Sequence, residues 1–263
     1  MLINSVILVL REVLEAAMVV SVLLALSRNL RLPAGWLLWS VPITGFFIVL
    51  FSSTLDALTD AFDGAGQEVV SAGLQAAVFA GIVGVVFFAE LMRSGRVNSF
   101  RPLHWLMAIT VICAMVREGS EILIYISAFA AFEESRAAVF AGSGIGAGIG
   151  ISLGVLQYAA LRAMPARTSY RLCIFIMALI GAGMVMQATM LLEQVDWLQA
   201  GQGLWDSSGL VSEESIAGQL LYAVFGYEAT PGLTQVVLYF GSVALVAAAW
   251  AVPRQLAGAR YGA

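Results

Sequence analysis

Apolar runs recur along this chain from its first methionine to residue 252, each about 20 residues long. That is enough for an α-helix to cross a hydrocarbon core roughly 30 Å thick. Seven such runs are predicted, at about 2–27, 34–55, 69–92, 103–130, 137–161, 171–194 and 232–252. Composition agrees: of 263 residues, 60% are hydrophobic and 11% charged, where a soluble domain carries about 25% charged residues. The expectation is an all-α integral membrane protein of seven transmembrane helices forming one domain over residues 1–263, not a large soluble domain. Residues 1–10 contain no basic residue of the kind that opens a secretory signal. The first run is therefore expected to stay as a membrane helix.

The connections sort by charge. Arg28, Arg31, Arg93, Arg96, Arg101, Arg162, Arg167 and Arg171 lie on alternate connections, and Arg254 and Arg260 lie on the tail. Only Arg136 falls on the opposite set. Arginine-rich connections face the cytoplasm, which predicts N-terminus out and C-terminus in. The other connections are acidic, with Asp56, Asp60, Asp63 and Glu68, then Glu133 and Glu134, then Asp196, Asp206, Glu213, Glu214 and Glu228. Such a face either simply avoids arginine or concentrates a cation. Within the long 195–231 connection, the spacing of Ile216, Leu220, Leu221 and Val224 predicts a short amphipathic or re-entrant helix ended by Gly226 and Pro231.

Two stretches break the apolar pattern. LREVLEAAM places Arg11, Glu12 and Glu15 in the first run, and MVREGSEIL places Arg117, Glu118 and Glu121 in the fourth. At about 100° per residue, all three charges of each Arg-Glu-x-x-Glu share one helix stripe. Each charge costs roughly 2.5–3.5 kcal/mol at mid-membrane, so these side chains must face protein or water rather than lipid. Three spans separate the copies, so the second enters from the opposite side. Residues 1–92 and 103–194 thus read as a 3+3 inverted repeat, an arrangement that builds substrate sites near the bilayer midplane. Together the motifs carry four carboxylates and two arginines, a net charge of −2. A structural ion pair would balance. The surplus suits a multivalent cation or bound protons, and oxygen-only ligands favour hard ions, ferric iron first and ferrous iron next, over copper(I) or zinc. Arginine, always charged, would orient the carboxylates or hold the site closed without metal.

Other residues carry less. Glu68 and Gln75 share one face of the third helix. Glu90 sits where it either snorkels to water or serves an exit, and Glu193 is expected to be solvated. Met184, Met186 and Met190 read as packing, and the glycine run GSGIGAGIGISLG as close helix contact. His104 reads as an interfacial polar residue, and Cys113 and Cys173 form no metal or disulfide pattern.

With these residues in hand, the chain resembles the oxidase-linked iron permease family, which includes the yeast-type high-affinity iron permease and bacterial EfeU. The resemblance rests on Arg-Glu-x-x-Glu in the first and fourth of seven helices, on GAGQEVV before the third, and on LWDSSGLV and FGYEATPGLTQVVLYF before and into the seventh. It covers nearly the whole chain, with Val13 where the first motif commonly has glycine. The resemblance implies Glu12, Glu15, Glu118 and Glu121 as iron ligands, with Glu68 accessory and Arg11 and Arg117 as motif arginines. It also implies an extracytoplasmic iron-oxidising or iron-binding partner protein. The function expected is iron permeation across the cytoplasmic (inner) membrane, with no enzymatic activity and no prosthetic group. Iron, lipid and that partner are the expected company; no nucleic acid is expected, and homo-oligomerisation stays open. Two alternatives remain: a proton-coupled transporter of another divalent cation, and a non-transporting membrane anchor for a redox partner.

Overall fold

The computed structural model of the chain describes residues 1–96 and 99–258, and Arg260 lies outside the described residues. Among those described, the secondary structure is helical, with one isolated antiparallel bridge between Gly203 and Gly232. Long helices of 26–31 residues are α1 (Leu2–Asn29), α2 (Gly35–Ala61), α3 (Gly66–Arg93), α4 (Arg101–Ala130), α5 (Glu133–Ala163), α6 (Ala166–Gln194) and α8 (Leu233–Gly258). Between the last two lies the short α7 (Ile216–Phe225). The amphipathic segment expected there forms. Ser215 Oγ accepts from Gly218 N at its start, and Gly226 ends it at φ 66°, a left-handed conformation that glycine adopts without strain.

Five of these helices are long and apolar enough to cross a membrane: α2, α3, α5, α6 and α8. The two that fall short, α1 and α4, are of similar length but carry the two Arg-Glu-x-x-Glu motifs. Several helices outrun the apolar runs. The second continues to Ala61, the fifth starts at Glu133, the sixth at Ala166, and the last reaches Gly258. Hydropathy marks only the stretch that suits lipid, whereas backbone hydrogen bonding continues into polar surroundings. Glu68, Glu133 and Glu134 in first turns favour this by facing unpaired helical N–H groups.

Contacts fix the helix directions. Gly142 abuts Leu2 and Ser5, Gly146 abuts Val6 and Leu10, and Gly154 abuts Ala17, so α5 runs parallel to α1. In contrast α4 is antiparallel to α1, through Ser5–Tyr125 and Ser27–Met107, and to α3, through Gly81–Thr110 and Gly84–Leu106. The pairs Gln75–Gln187 and Glu90–Tyr170 set α3 antiparallel to α6. One end of the bundle therefore collects the last residues of α1, α3, α5 and α8 with the first of α2, α4 and α6. Arg28, Arg31, Arg93, Arg96, Arg101, Arg162, Arg167, Arg171 and Arg254 are all at or near it. At the other end lie the acidic connections and α7. Near the arginine-rich end the interior is a dry plug, where Val22, Leu26, Ile82, Val85, Val86, Met107, Val111 and Met177 are each at most 2% exposed.

Candidate metal site

The two motifs meet. On α1, Glu12 and Glu15 fall one turn apart on the face turned to α4, and both are buried. On α4, Arg117 and Glu118 are buried in the same way. One ligand oxygen from each of Glu12, Glu15 and Glu118 lies within 4.8 Å of the others. That spacing is what a single cation with carboxylate ligands can bridge with small side-chain movement.

Arg117 is the hub. Its Nη1 donates to Glu12 Oε2 at 3.2 Å and to Glu118 Oε2, and lies 3.9 Å from Glu15 Oε2, while Nη2 reaches Glu121 Oε1 at 2.8 Å. All four motif carboxylates thus touch one guanidinium. By contrast Arg11 serves a single partner, giving Nε and Nη2 to Glu12 Oε1 at 2.8 and 2.5 Å. The two copies of the motif are alike in letters and unequal in contacts. Not every polar atom is used: Glu118 Oε1 and Arg117 Nε are buried without a hydrogen-bond partner among the described residues.

Glu121 is joined to the cluster through Arg117 and lies outside the three converging carboxylates. Glu68 stands apart in the first turn of α3, half-buried, with Oε2 buried and unpartnered among the described residues. Gln75, two turns on, does reach the site. Its Nε2 donates to Gln187 Oε1 at 2.5 Å, and Gln187 Nε2 donates to Glu15 Oε2 at 3.1 Å. Gln187 passed unnoticed in the sequence. The available signal was an amide well inside the apolar helix that also holds Met184 and Met186, but its target lies 172 residues away.

Beside the cluster, a cavity of about 440 Å³ opens between α1, α2, α4 and α5 and touches Glu12 and Glu118. Its other walls are mostly apolar, among them Val20, Leu24, Ile48, Met115, Ile151 and Val155, with Ser21 and Tyr158 the polar exceptions. Such walls offer a hydrated cation little in exchange for its water. His104 lines another cavity, about 450 Å³, with Trp36, Trp39 and Trp105 at the arginine-rich end. Met184 and Met186 are core residues, and Cys113 and Cys173 are free thiols.

Glu90 does not snorkel to water. It is 4% exposed and takes Arg254 Nε on Oε1 at 2.8 Å, and Arg254 Nη2 and Tyr170 Oη on Oε2 at 3.2 and 2.7 Å.

No curated protein and no solved structure matches the chain. A family model does, over residues 2–259, which takes in both motifs and every described helix. With five helices fit to span a bilayer, this is a multi-pass membrane protein, and it belongs to the iron permease FTR1 family.

Proposed function

We propose that the chain carries iron across the cytoplasmic membrane through the cluster formed by Glu12, Glu15 and Glu118, with Glu121 joining as the ion moves. The observation that carries this reading is the convergence of three buried carboxylates from two helices around two arginines, which leaves the four motif glutamates short of positive charge. A multivalent cation supplies what is missing. Hard oxygen ligands suit ferric iron best and ferrous iron next. Without metal, Arg117 occupies the carboxylates as a stand-in cation, so an arriving ion has to displace it.

On this reading α1 and α4 cross the bilayer with the other long helices, making seven spans. The parallel pairing of α1 with α5, together with the antiparallel meeting of α1 with α4, supports two inverted three-helix halves. Gathering of arginines at one end supports a cytoplasmic C-terminus. The ion then arrives from the acidic face, where a partner that binds or oxidises iron would deliver it and where Glu68 opens α3. The dry plug keeps the opposite face closed until the helices shift.

Uptake of iron into proteoliposomes tests the reading. Glu15→Gln and Glu121→Gln should each lose uptake; if either leaves it intact, the midplane site fails. Transport of manganese or zinc at the rate of iron would overturn the selectivity.

A further inference from the structure

Glu15 is held differently from its neighbours. Glu12 and Glu118 each take a direct guanidinium hydrogen bond and Glu121 an ion pair at 2.8 Å, but Glu15 Oε2 lies 3.9 Å from the nearest arginine nitrogen. Its hydrogen bond comes from the Gln187 amide at 3.1 Å, and that amide is held by Gln75. Gln75 and Gln187 are 0% and 1% exposed and arrive on separate helices, α3 and α6.

Only one arrangement of the chain satisfies both bonds. Turning the Gln187 amide over would set its oxygen against Glu15 Oε2 and its NH₂ against the NH₂ of Gln75. The carboxylate and Gln75 thus hold Gln187 from both ends, and Gln187 in turn orients Glu15. The chemical point is that both holders are neutral. An arginine or lysine at 187 would grip the carboxylate equally well but cancel its charge. An amide fills one oxygen of Glu15 and leaves its charge unspent.

We propose that Gln75 and Gln187 are positioning residues that hold Glu15 oriented without neutralising it, leaving its negative charge for a bound cation. This rests on the reading of the cluster as an iron site. Gln75 Oε1, buried and without a hydrogen-bond partner among the described residues, is the loose end of the chain and faces no competing donor.

Three variants at 187 separate the possible roles. Gln187→Met keeps length and apolar bulk but loses the donor; the half-saturating iron concentration should rise roughly 10–100-fold, the range for losing a residue that supports a metal ligand, with the maximal rate kept within about twofold. Gln187→Glu puts an acceptor against an acceptor and should be worse than Gln187→Met. Gln187→Arg should give a folded protein that no longer binds iron. Adding Gln75→Met to Gln187→Met should change nothing more, since the two amides act as one chain. A Gln187→Met protein that matches wild type reduces the residue to packing and overturns the proposal. A Gln187→Glu protein that binds iron as well or better makes it a direct ligand, which also overturns it.

Iron-free melting of the Glu15→Met, Gln187→Met and double variants gives a readout that does not depend on metal. The pair should be coupled by a shift of about 2–4 °C, the equivalent of roughly 1 kcal/mol in a chain of this size. Absent coupling while Glu15→Gln still abolishes uptake defeats the glutamine assignment alone. Intact uptake by Glu15→Gln defeats the iron site itself.

Discussion

Two buried ionic groups sit in this bundle, and they are built to opposite plans. At the arginine-rich end, Glu90 has one arginine, Arg254, gripping both its oxygens, and Tyr170 adds a third bond. The assembly is finished by stacking, with the Arg254 guanidinium 3.8 Å over the Trp250 ring and that of Arg93 4.3 Å over Tyr170. Charge balances, and both carboxylate oxygens are satisfied. In the centre, four carboxylates share two arginines, and Glu118 Oε1, Arg117 Nε and the nearby Gln75 Oε1 are left without partners among the described residues. A pair that completes itself is a fastener. A group that is short of positive charge and carries unpaired atoms is arranged for something that comes and goes. The same residue types build both groups, so neither burial nor ion pairing alone tells them apart; the surplus of carboxylates over arginines in the centre does.

The contrast can be broken most severely at Arg117. Arg117→Met strips four carboxylates of their shared partner, and no folded protein should survive extraction, as judged by size-exclusion chromatography. Arg11→Met removes a partner from Glu12 alone, and that variant should fold. Next in size, Glu15→Gln should weaken iron uptake by at least the roughly 10–100-fold that loss of a mere supporting residue costs a metal site. Iron should also raise the melting temperature of the wild-type protein, by the equivalent of about 2.7 kcal/mol at a hundred times its dissociation constant. Glu90→Gln should retain that rise, and Glu15→Gln should lose it.

A smaller effect is expected at the fastener. Arg254→Met leaves Glu90 buried without its cation, which should lower stability by up to about 3 kcal/mol. The half-saturating iron concentration should stay within twofold of wild type. Glu90→Gln combined with Arg254→Met should recover most of the stability, because the uncompensated charge is gone. If Arg254→Met instead shifts iron affinity tenfold, the two groups are not separate devices.

The smallest test uses carboxylates that meet with no arginine at all. In the 195–231 connection, Glu228 is pushed up to about 7, first by partial burial and then by Glu213, whose Oε1 accepts from Ala229 N at 2.6 Å. The folded chain thus keeps a proton there that the unfolded chain releases near the ordinary glutamate value. The stability this adds is complete below about pH 4.5 and is lost as pH rises through about 7. Because Glu228 is half in solvent the effect is under about 1 kcal/mol. Melting curves of Glu228→Gln should be flatter than wild type between pH 5 and pH 8, the range of the test.

Much of this was legible before any coordinates. Periodic apolar runs marked the long helices, and Ile216 to Val224 marked α7. Two copies of one charged motif, each on a single stripe, led to a shared cluster because charges in lipid have few other places to go. The rest depended on contacts between distant residues. Hydropathy stops at residue 252 and so places Arg254 on a tail, but α8 continues through Pro253 and brings that arginine back onto α3. Glutamine carries no charge, so Gln187 left no imbalance to count. The inequality of Arg11 and Arg117 is a matter of tertiary reach, invisible in two copies of one Arg-Glu-x-x-Glu pattern.

The glycines of α5 have a mechanical consequence. A β-carbon at Gly142, Gly146, Gly150 or Gly154 would come within 2.5–2.9 Å of α1, so the two helices touch nearly backbone to backbone over four turns. Helices seated that closely slide or part only as a unit. Any rocking that draws Glu12 and Glu15 away from Arg117 must therefore swing α1 and α5 together as one lever, with its load, the first motif, carried near the middle of the beam.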